Sequence, residues 1–307
     1  MSEKIFISIA SFKDPLIART IKSLLKRAEN PHNIRIVVLD QVGLTPEEVR
    51  PQNSKNVEVI TYAAKTSKGT SWARSLIQNK YDGEKYVLEL DSHMMCKDGW
   101  DTFYKGLLNK LKDESSDKPV ISSNPPAIVW DDVNKQRTFN QHGLTLWENL
   151  RFDEKEIDYR IIKKRIKIDS KEVTNVPWID TRFIFSFGDR IETVPNNPKI
   201  YQTLQDDLSI RLYTHGYDVF ASPSNPIAHF YDNDRVKHIR LMEDRRGLSN
   251  STFLWNRSIN EFYSVIQGKN TFNKKYSLGQ ERSIENFEKF AKINYNEKII
   301  YNGESDD

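Results

Sequence analysis

The chain carries one cysteine, Cys96, in 307 residues. No internal disulfide can staple it, and no thiolate zinc site can form. That usage fits a reducing compartment, and an ordinary thiol near a strand end is the plainer reading of Cys96 than a nucleophile. No apolar run approaches the ~20 residues of a membrane span. Met1-Ser2-Glu3-Lys4 leads into a strand rather than a signal-peptide core. No membrane partner is expected, and the expected location is cytoplasmic. An excess of one charge is also missing: 46 basic against 43 acidic side chains leave a net +3. So small an excess permits a polyanionic partner without requiring one. Missing motifs exclude further classes. There is no Gly-x-Ser-x-Gly elbow of a serine hydrolase, no His-Glu-x-x-His of a zinc protease, and no Gly-x-Gly-x-x-Gly after the first strand.

What is present supports a folded core: 37% of residues are hydrophobic and 11% aromatic, with 29% charged for the surface. Ile5 to Ala10 is a continuous apolar run of the kind buried in a parallel strand. Ser11-Phe12-Lys13-Asp14-Pro15 ends it and opens a helix, in which Leu16, Ile17, Thr20, Ile21, Leu24 and Leu25 recur at helical spacing. Asn30-Pro31 stops that helix, and strands follow at Ile34–Asp40 and Val57–Tyr62. Strand, helix, strand at these lengths is βαβ logic, and strands ending on acidic residues suggest a ligand crevice. Further on, Ile157 to Ile168 suits an edge hairpin with basic arms, and Phe183 to Asp189 is a very aromatic strand. A helix runs from Gln205 to a C-cap at Gly216, and short strands follow at Val219–Ala221 and Ile227–Tyr231. From Asp232 the texture changes to a basic helical stretch (Arg235 to Arg246) and two helices near Ile259–Ile266 and Ile284–Ala291. The expected organisation is an α/β domain over 1–232 with a helical extension, 233–307, packed on it. Its last residues, from Gly303, are expected to be disordered.

The stretch Tyr86-Val87-Leu88-Glu89-Leu90-Asp91-Ser92-His93 centres the chemistry. An apolar strand runs into two metal-ligand types one residue apart, and positions i and i+2 of an extended backbone point the same way. The plain alternative is that Asp91 and Ser92 cap a following helix. Lys68, the Gly69 backbone and Arg74 form a phosphate cradle at a helix start, or are solvated cations on a surface helix. Asp206 and Asp207 either hold hydroxyls or complement a helix dipole. Arg160, Lys163, Lys164, Arg165 and Lys167 are dense enough to touch phosphate or an acidic acceptor, or simply guard an edge strand. His229 ends a later strand. Oxygen and imidazole ligands with room for substrate oxygens suit Mn²⁺ or Mg²⁺ bridging a diphosphate.

The runs Ser67-Lys68-Gly69, Trp72-Ala73-Arg74-Ser75, Gly83-Glu84, Leu90-Asp91-Ser92-His93-Met94 and Gly99-Trp100-Asp101 resemble glycosyltransferase family 60, the GlcNAc-transferase family. Phe185 to Asp189, Val194-Pro195, Arg211 to Asp218 and Ala228-His229-Phe230-Tyr231 extend the likeness over residues 5–232. The resemblance implies a GT-A fold, a mixed sheet flanked by helices that binds a nucleotide sugar. It also implies a UDP-sugar donor and a divalent metal. Asp91-Ser92-His93 then stands where the family has its Asp-x-Asp-like motif, with Ser92 at the donor and His229 similar to the late histidine that completes such sites. Lys68, Gly69 and Arg74 would approach the nucleotide. Gln205-Asp206-Asp207 stands where the family shows a Gly-Glu-Glu-like triplet, and Ser71 where it tends to carry Cys. The family's cytoplasmic members place α-linked GlcNAc on a protein hydroxyproline, so GlcNAc, transferred with retention, is the expectation. A second reading keeps the fold and makes a nucleic-acid base or a glycan the acceptor. A third is a UDP-sugar-binding module without catalysis.

Overall fold

The computed structural model of the chain describes residues 3–42, 50–131, 136–140, 143–152, 161–201, 203–231, 251–269 and 273–301. Arg160, the basic stretch 235–246 and the residues from Gly303 lie outside them. β1 (Ile5–Phe12), α1 (Ile17–Arg27), β2 (Ile34–Val42) and β3 (Val57–Ala63) form the expected start, with the three strands parallel. α2 (Thr70–Gln78) returns the chain to β4 (Tyr86–Asp91), which pairs in parallel with the other side of β1. The unbroken apolar run of β1 follows from coverage of both faces. Ile5, Ile7 and Ile9 pack with Ile17 and Leu24 of α1, whereas Phe6 packs with Ala73 and Ile77 of α2.

The middle of the chain holds β5 (Met94–Cys96), α3 (Trp100–Glu114), β6 (Pro119–Ile121), β7 (Ala127–Asp131), β8 (Gln136–Asn140), β9 (Leu144–Phe152), β10 (Ile161–Ile168) and β11 (Thr174–Asn175). β12 (Phe183–Phe187), α4 (Asp189–Thr193), α5 (Leu204–Thr214), β13 (Asp218–Ala221) and β14 (Ile227–His229) follow. The main sheet has the order β11-β13-β6-β12-β4-β1-β2-β3, and β12 runs antiparallel to both its neighbours. This is the mixed sheet expected. A smaller sheet, β5-β14-β7-β8, continues from the carboxyl end of β4. β9 and β10 pair as a hairpin, with Lys163, Arg165 and Lys167 opposite Asn149, Trp147 and Thr145. Gly216, at φ +83°, ends α5 with the Tyr217 amide bonded back to the Leu212 carbonyl.

Two C-terminal helices, α6 (Ser251–Ile266) and α7 (Ile284–Ala291), follow, and the antiparallel pair β15 (Ile293–Asn294) and β16 (Ile299–Ile300) closes the described chain. α6 starts earlier than its apolar periodicity suggests. Phe262, Ile266, Phe287 and Ala291 share one core with Trp178 and with Leu208 and Leu212 of α5.

Candidate metal centre

Three side chains meet where the two sheets join. Asp91 is the last residue of β4, His93 lies two residues on, and His229 is the last residue of β14. One ligand atom from each lies within 4.8 Å of the others. His229 Nε2 stands 3.3 Å from Asp91 Oδ2, and the two imidazole rings meet edge to face at 4.5 Å. Backbone pairing sets this convergence: β14 runs antiparallel to β5 with His229 opposite Met94, and the Phe230 amide donates to the His93 carbonyl at 3.0 Å. Helix α1 fixes the turn between β4 and β5. Thr20 Oγ1 donates to the Ser92 carbonyl at 2.7 Å and accepts from the Met94 amide at 2.9 Å. Ser23 Oγ accepts from the Cys96 amide.

Asp14 supports the group from behind. After β1 the chain turns through Lys13 at φ +51°, a left-handed conformation that non-glycine residues rarely adopt. That turn buries Asp14 to 1% exposure. Its Oδ1 accepts from the Leu16 amide at 2.8 Å, and its Oδ2 accepts from Ser92 Oγ and lies 2.6 Å from His93 Nδ1. A carboxylate on the far nitrogen of an imidazole is how proteins orient a histidine toward a metal. Burial works to raise the Asp14 pKa, but the hydrogen bond and charge of His93, with Ser92 and Leu16, hold it below the usual value.

Asp91 shows the same contest. Burial would raise its pKa, yet the hydrogen bond from His229 and the charges of His93, His229 and Arg74 hold the carboxyl well below the ordinary range. His229 goes down, because burial and the charge of His93 outweigh Asp91. At neutral pH the pair is therefore an anionic oxygen beside an uncharged imidazole, the protonation states metal binding needs. His229 Nδ1 is buried and has no hydrogen-bond partner among the described residues. Two imidazoles and an ionised carboxylate, with a second carboxylate orienting one ring, fit a divalent cation.

Other expected site residues lie differently. Arg74 is fully buried behind Asp91. Its Nη2 donates to the Thr181 carbonyl at 2.7 Å and stands 3.8 Å from Asp91 Oδ1, so it adds to the histidines' pull on that carboxylate from the protein side. Ser92 turns its hydroxyl to Asp14. Lys68 is exposed over the Trp72 ring at 5.9 Å. Gly69, at φ +95°, packs so closely on Tyr201 that a Cβ would lie 2.5 Å from that ring. The sequence places the end of β2 at Asp40, but the strand runs on to Val42; the Asp40 side chain is buried and accepts from Ser11 Oγ at 3.0 Å.

The acidic pair is not joined to the metal group. Asp207 is buried against Arg211 at 2.7 Å, and Asp206 lies 2.6 Å from Lys163 Nζ and 3.3 Å from the Tyr295 hydroxyl. Both carboxylates are turned into the protein by cations that the sequence places four residues and 43 residues away. Burial raises the Asp207 pKa against the pull of Arg211. Cys96 is 4% exposed, and burial pushes its thiol well up, which leaves no reactive thiolate.

Three contributors have no local signature in the sequence. Asp14 reads as the opening of a helix, and Thr20 as one more position on its buried stripe. Arg182 is the third: it pairs with Asp180, and its Nη1 donates to the Tyr231 hydroxyl at 3.1 Å. The Tyr231 ring packs 4.4 Å from that of His229, and burial pushes its pKa up to about 12.

The model of the family described as Glycosyltransferase (GlcNAc) matches residues 4–48 and 43–297. It therefore runs past residue 232, where the legible motifs stop, and takes in α6 and α7. No curated protein matches the sequence. The crystal structure of GalNAc-T7 with UDP, GalNAc and Mn²⁺ is similar in fold, with a TM-score of 0.56 at 14% identity, over 94% of this chain and 55% of that one. The chain thus spans about half the length of that protein. S. aureus TarS 1-349 aligns with a TM-score of 0.45 at 13% identity, over 89% of this chain and 76% of that one. With one family model spanning nearly its whole length, the chain belongs to the glycosyltransferase (GlcNAc) family.

Proposed function

We propose that the protein transfers a sugar, GlcNAc by expectation, from a UDP-sugar to an acceptor hydroxyl with retention of configuration. The observation that carries this reading is the convergence of Asp91, His93 and His229 at the carboxyl end of β4, with Asp14 orienting His93. Ligands in open α/β sheets bind outside the carboxyl ends of strands, and a UDP-sugar brings a diphosphate that needs neutralising there. The three ligands would hold Mn²⁺, or Mg²⁺; imidazole favours the former. The bound ion supplies positive charge against the diphosphate as it departs.

The remaining work falls to the chain. Asp91 stays ionised because Arg74 and the two histidines surround it, so its charge is ready without reorganisation. In the transfer, the bond between the sugar's anomeric carbon and the β-phosphate oxygen breaks, and its electron pair leaves with UDP. The acceptor oxygen forms the new bond on the same face, and its proton passes to the departing phosphate oxygen. No strong side-chain base is then required. Asp206 and Asp207 receive no step here, since Lys163 and Arg211 occupy them. We assign them to anchoring the β9–β10 hairpin and α5. Lys68 and the Gly69 backbone are the groups proposed for the nucleotide end. A reducing, cytoplasmic setting suits the single buried cysteine, and among the described residues no helix is long and apolar enough to cross a membrane.

The test is UDP release from UDP-GlcNAc, UDP-GalNAc, UDP-glucose, UDP-galactose and a UDP-pentose, with and without Mn²⁺. Wild type should act on at least one donor with Mn²⁺, and Asp91→Ala should not. Equal rates for the two proteins on every donor would overturn the assignment. The anomeric proton coupling of the product reads retention directly.

A further inference from the structure

A cavity of about 430 Å³ opens beside the metal group, within the size range of small-ligand sites. Its walls are the turn into β7 from Asn124, the β13–β14 connection, Tyr231 and the inward face of the β9–β10 hairpin. Two contacts tie it to the site: Ala127 pairs with His229, and the Tyr231 ring lies against the His229 ring.

The charge of this cavity is one-sided. Strand alternation sets Lys163, Arg165 and Lys167 on one face of β10. Lys163 is consumed by Asp206, but Arg165 and Lys167 make no ion pair with any described residue. Lys164, on the opposite face, is neutralised by Glu148. Among the described lining residues there is no carboxylate. Arg165 stands over the Tyr231 ring at 4.9 Å, which fixes its guanidinium at the wall. Asn124 accepts at Oδ1 from Tyr231, while its Nδ2, shielded from solvent, has no hydrogen-bond partner among the described residues. Two uncompensated cations with no facing carboxylate make a wall that donates, and what such a wall binds is an anion.

We propose that this cavity is the acceptor subsite, and that the acceptor carries a phosphate or carboxylate close to the hydroxyl that receives the sugar. The inference rests on the transferase reading of the neighbouring metal group. It names the chemical class of acceptor: an anionic glycan or polyol rather than a neutral one.

Calorimetric titration of the full chain with glucose 6-phosphate, glucuronate and glucose tests it, with inorganic phosphate as a fourth ligand. At least one charged sugar should bind about tenfold more tightly than glucose. The double variant Arg165→Gln/Lys167→Gln should lose that preference, and Lys164→Gln should keep it. Preference for glucose 6-phosphate alone assigns the anion as phosphate; preference for glucuronate alone assigns it as carboxylate. Equal binding of glucose and the charged sugars overturns the proposal, as does inorganic phosphate binding as tightly as the sugars, or an equal loss in Lys164→Gln. A parallel melting series with UDP and Mn²⁺ keeps the two readings apart. Failure of UDP and Mn²⁺ to stabilise the wild type counts against the transferase site, whereas loss of the charge preference counts against the acceptor assignment.

Discussion

Asp14→Asn tests the metal centre through a residue that would not touch the ion. The substitution keeps size and keeps an oxygen for the Leu16 amide, now 2.8 Å from Oδ1. It replaces Oδ2, the atom 2.6 Å from His93 Nδ1, with an NH₂ group. Two donors then face each other unless His93 moves its proton to Nε2 or its ring turns. Either response spoils the nitrogen that would meet the ion. Ser92 can rotate its hydroxyl and accept instead, so the cost falls on His93. Loss of such an orienting carboxylate weakens metal affinity roughly 10–100-fold, or about 1.4–2.7 kcal/mol. The assay is the free Mn²⁺ signal in electron paramagnetic resonance, titrated at pH 7 against wild type, Asp14→Asn and Asp91→Ala. The expected order is tight, weakened and absent, with Asp14→Asn still folding cooperatively. Mn²⁺ affinity within twofold of wild type in Asp14→Asn would refute the argument.

Two further predictions concern stability. Glu89 and Arg190 are fully buried 3.0 Å apart. Burial opposes ionisation of Glu89, but Arg190, Arg74 and Asn196 prevail and lower its pKa. The native state then favours the carboxylate, so the contribution is present above the ordinary value near 4.5 and is lost as pH falls through the lower native one. Urea unfolding should show stability falling below about pH 4.5 in wild type, and less steeply in Glu89→Gln. That variant should start ~3–5 kcal/mol lower at pH 7, because Arg190 is left charged and unpaired; parallel pH slopes would sink the idea. Lys163→Met, which leaves Asp206 buried without its cation, should cost on the order of 3–5 kcal/mol. Lys164→Met, removing an exposed pair with Glu148, should cost about 0–1 kcal/mol by the same assay.

The sheet was the legible part. The runs of β1, β2 and β4 can be read directly because burial on both faces makes most of their positions apolar. The convergence of Asp91 and His229 was legible for a similar reason, since each ends a strand and the alternation of an extended backbone says where it points. Asp14 was not, because its role depends on the left-handed turn at Lys13 and on a partner 79 residues away. For Arg74 and the Asp206–Asp207 pair the sequence shows the charges but not their neighbours. A charged residue near a motif reads as a ligand contact, and only packing shows Thr181, Arg211 and Lys163 beside these groups. The extent of the family likeness was underestimated because α6 and α7 contribute apolar surface rather than rare motifs.

The hairpin-like meeting of β14 with β5 has a consequence in time. Asp91 and His93 leave the ribosome well before His229, which stands 138 residues after Asp91 (229 − 91). Domains generally fold as units, N-terminal first, at about 5–20 residues per second. A nascent chain arrested before Ile227 can therefore pair β1, β2, β3 and β4 while lacking the strand that brings the third ligand. The third ligand of the proposed centre arrives only with the last strand of the smaller sheet, after the parallel core. Metal capture would thus report closure of the smaller sheet, ahead of α6 and α7, and a premature stop before His229 would yield a product with the parallel strands but without the third candidate ligand.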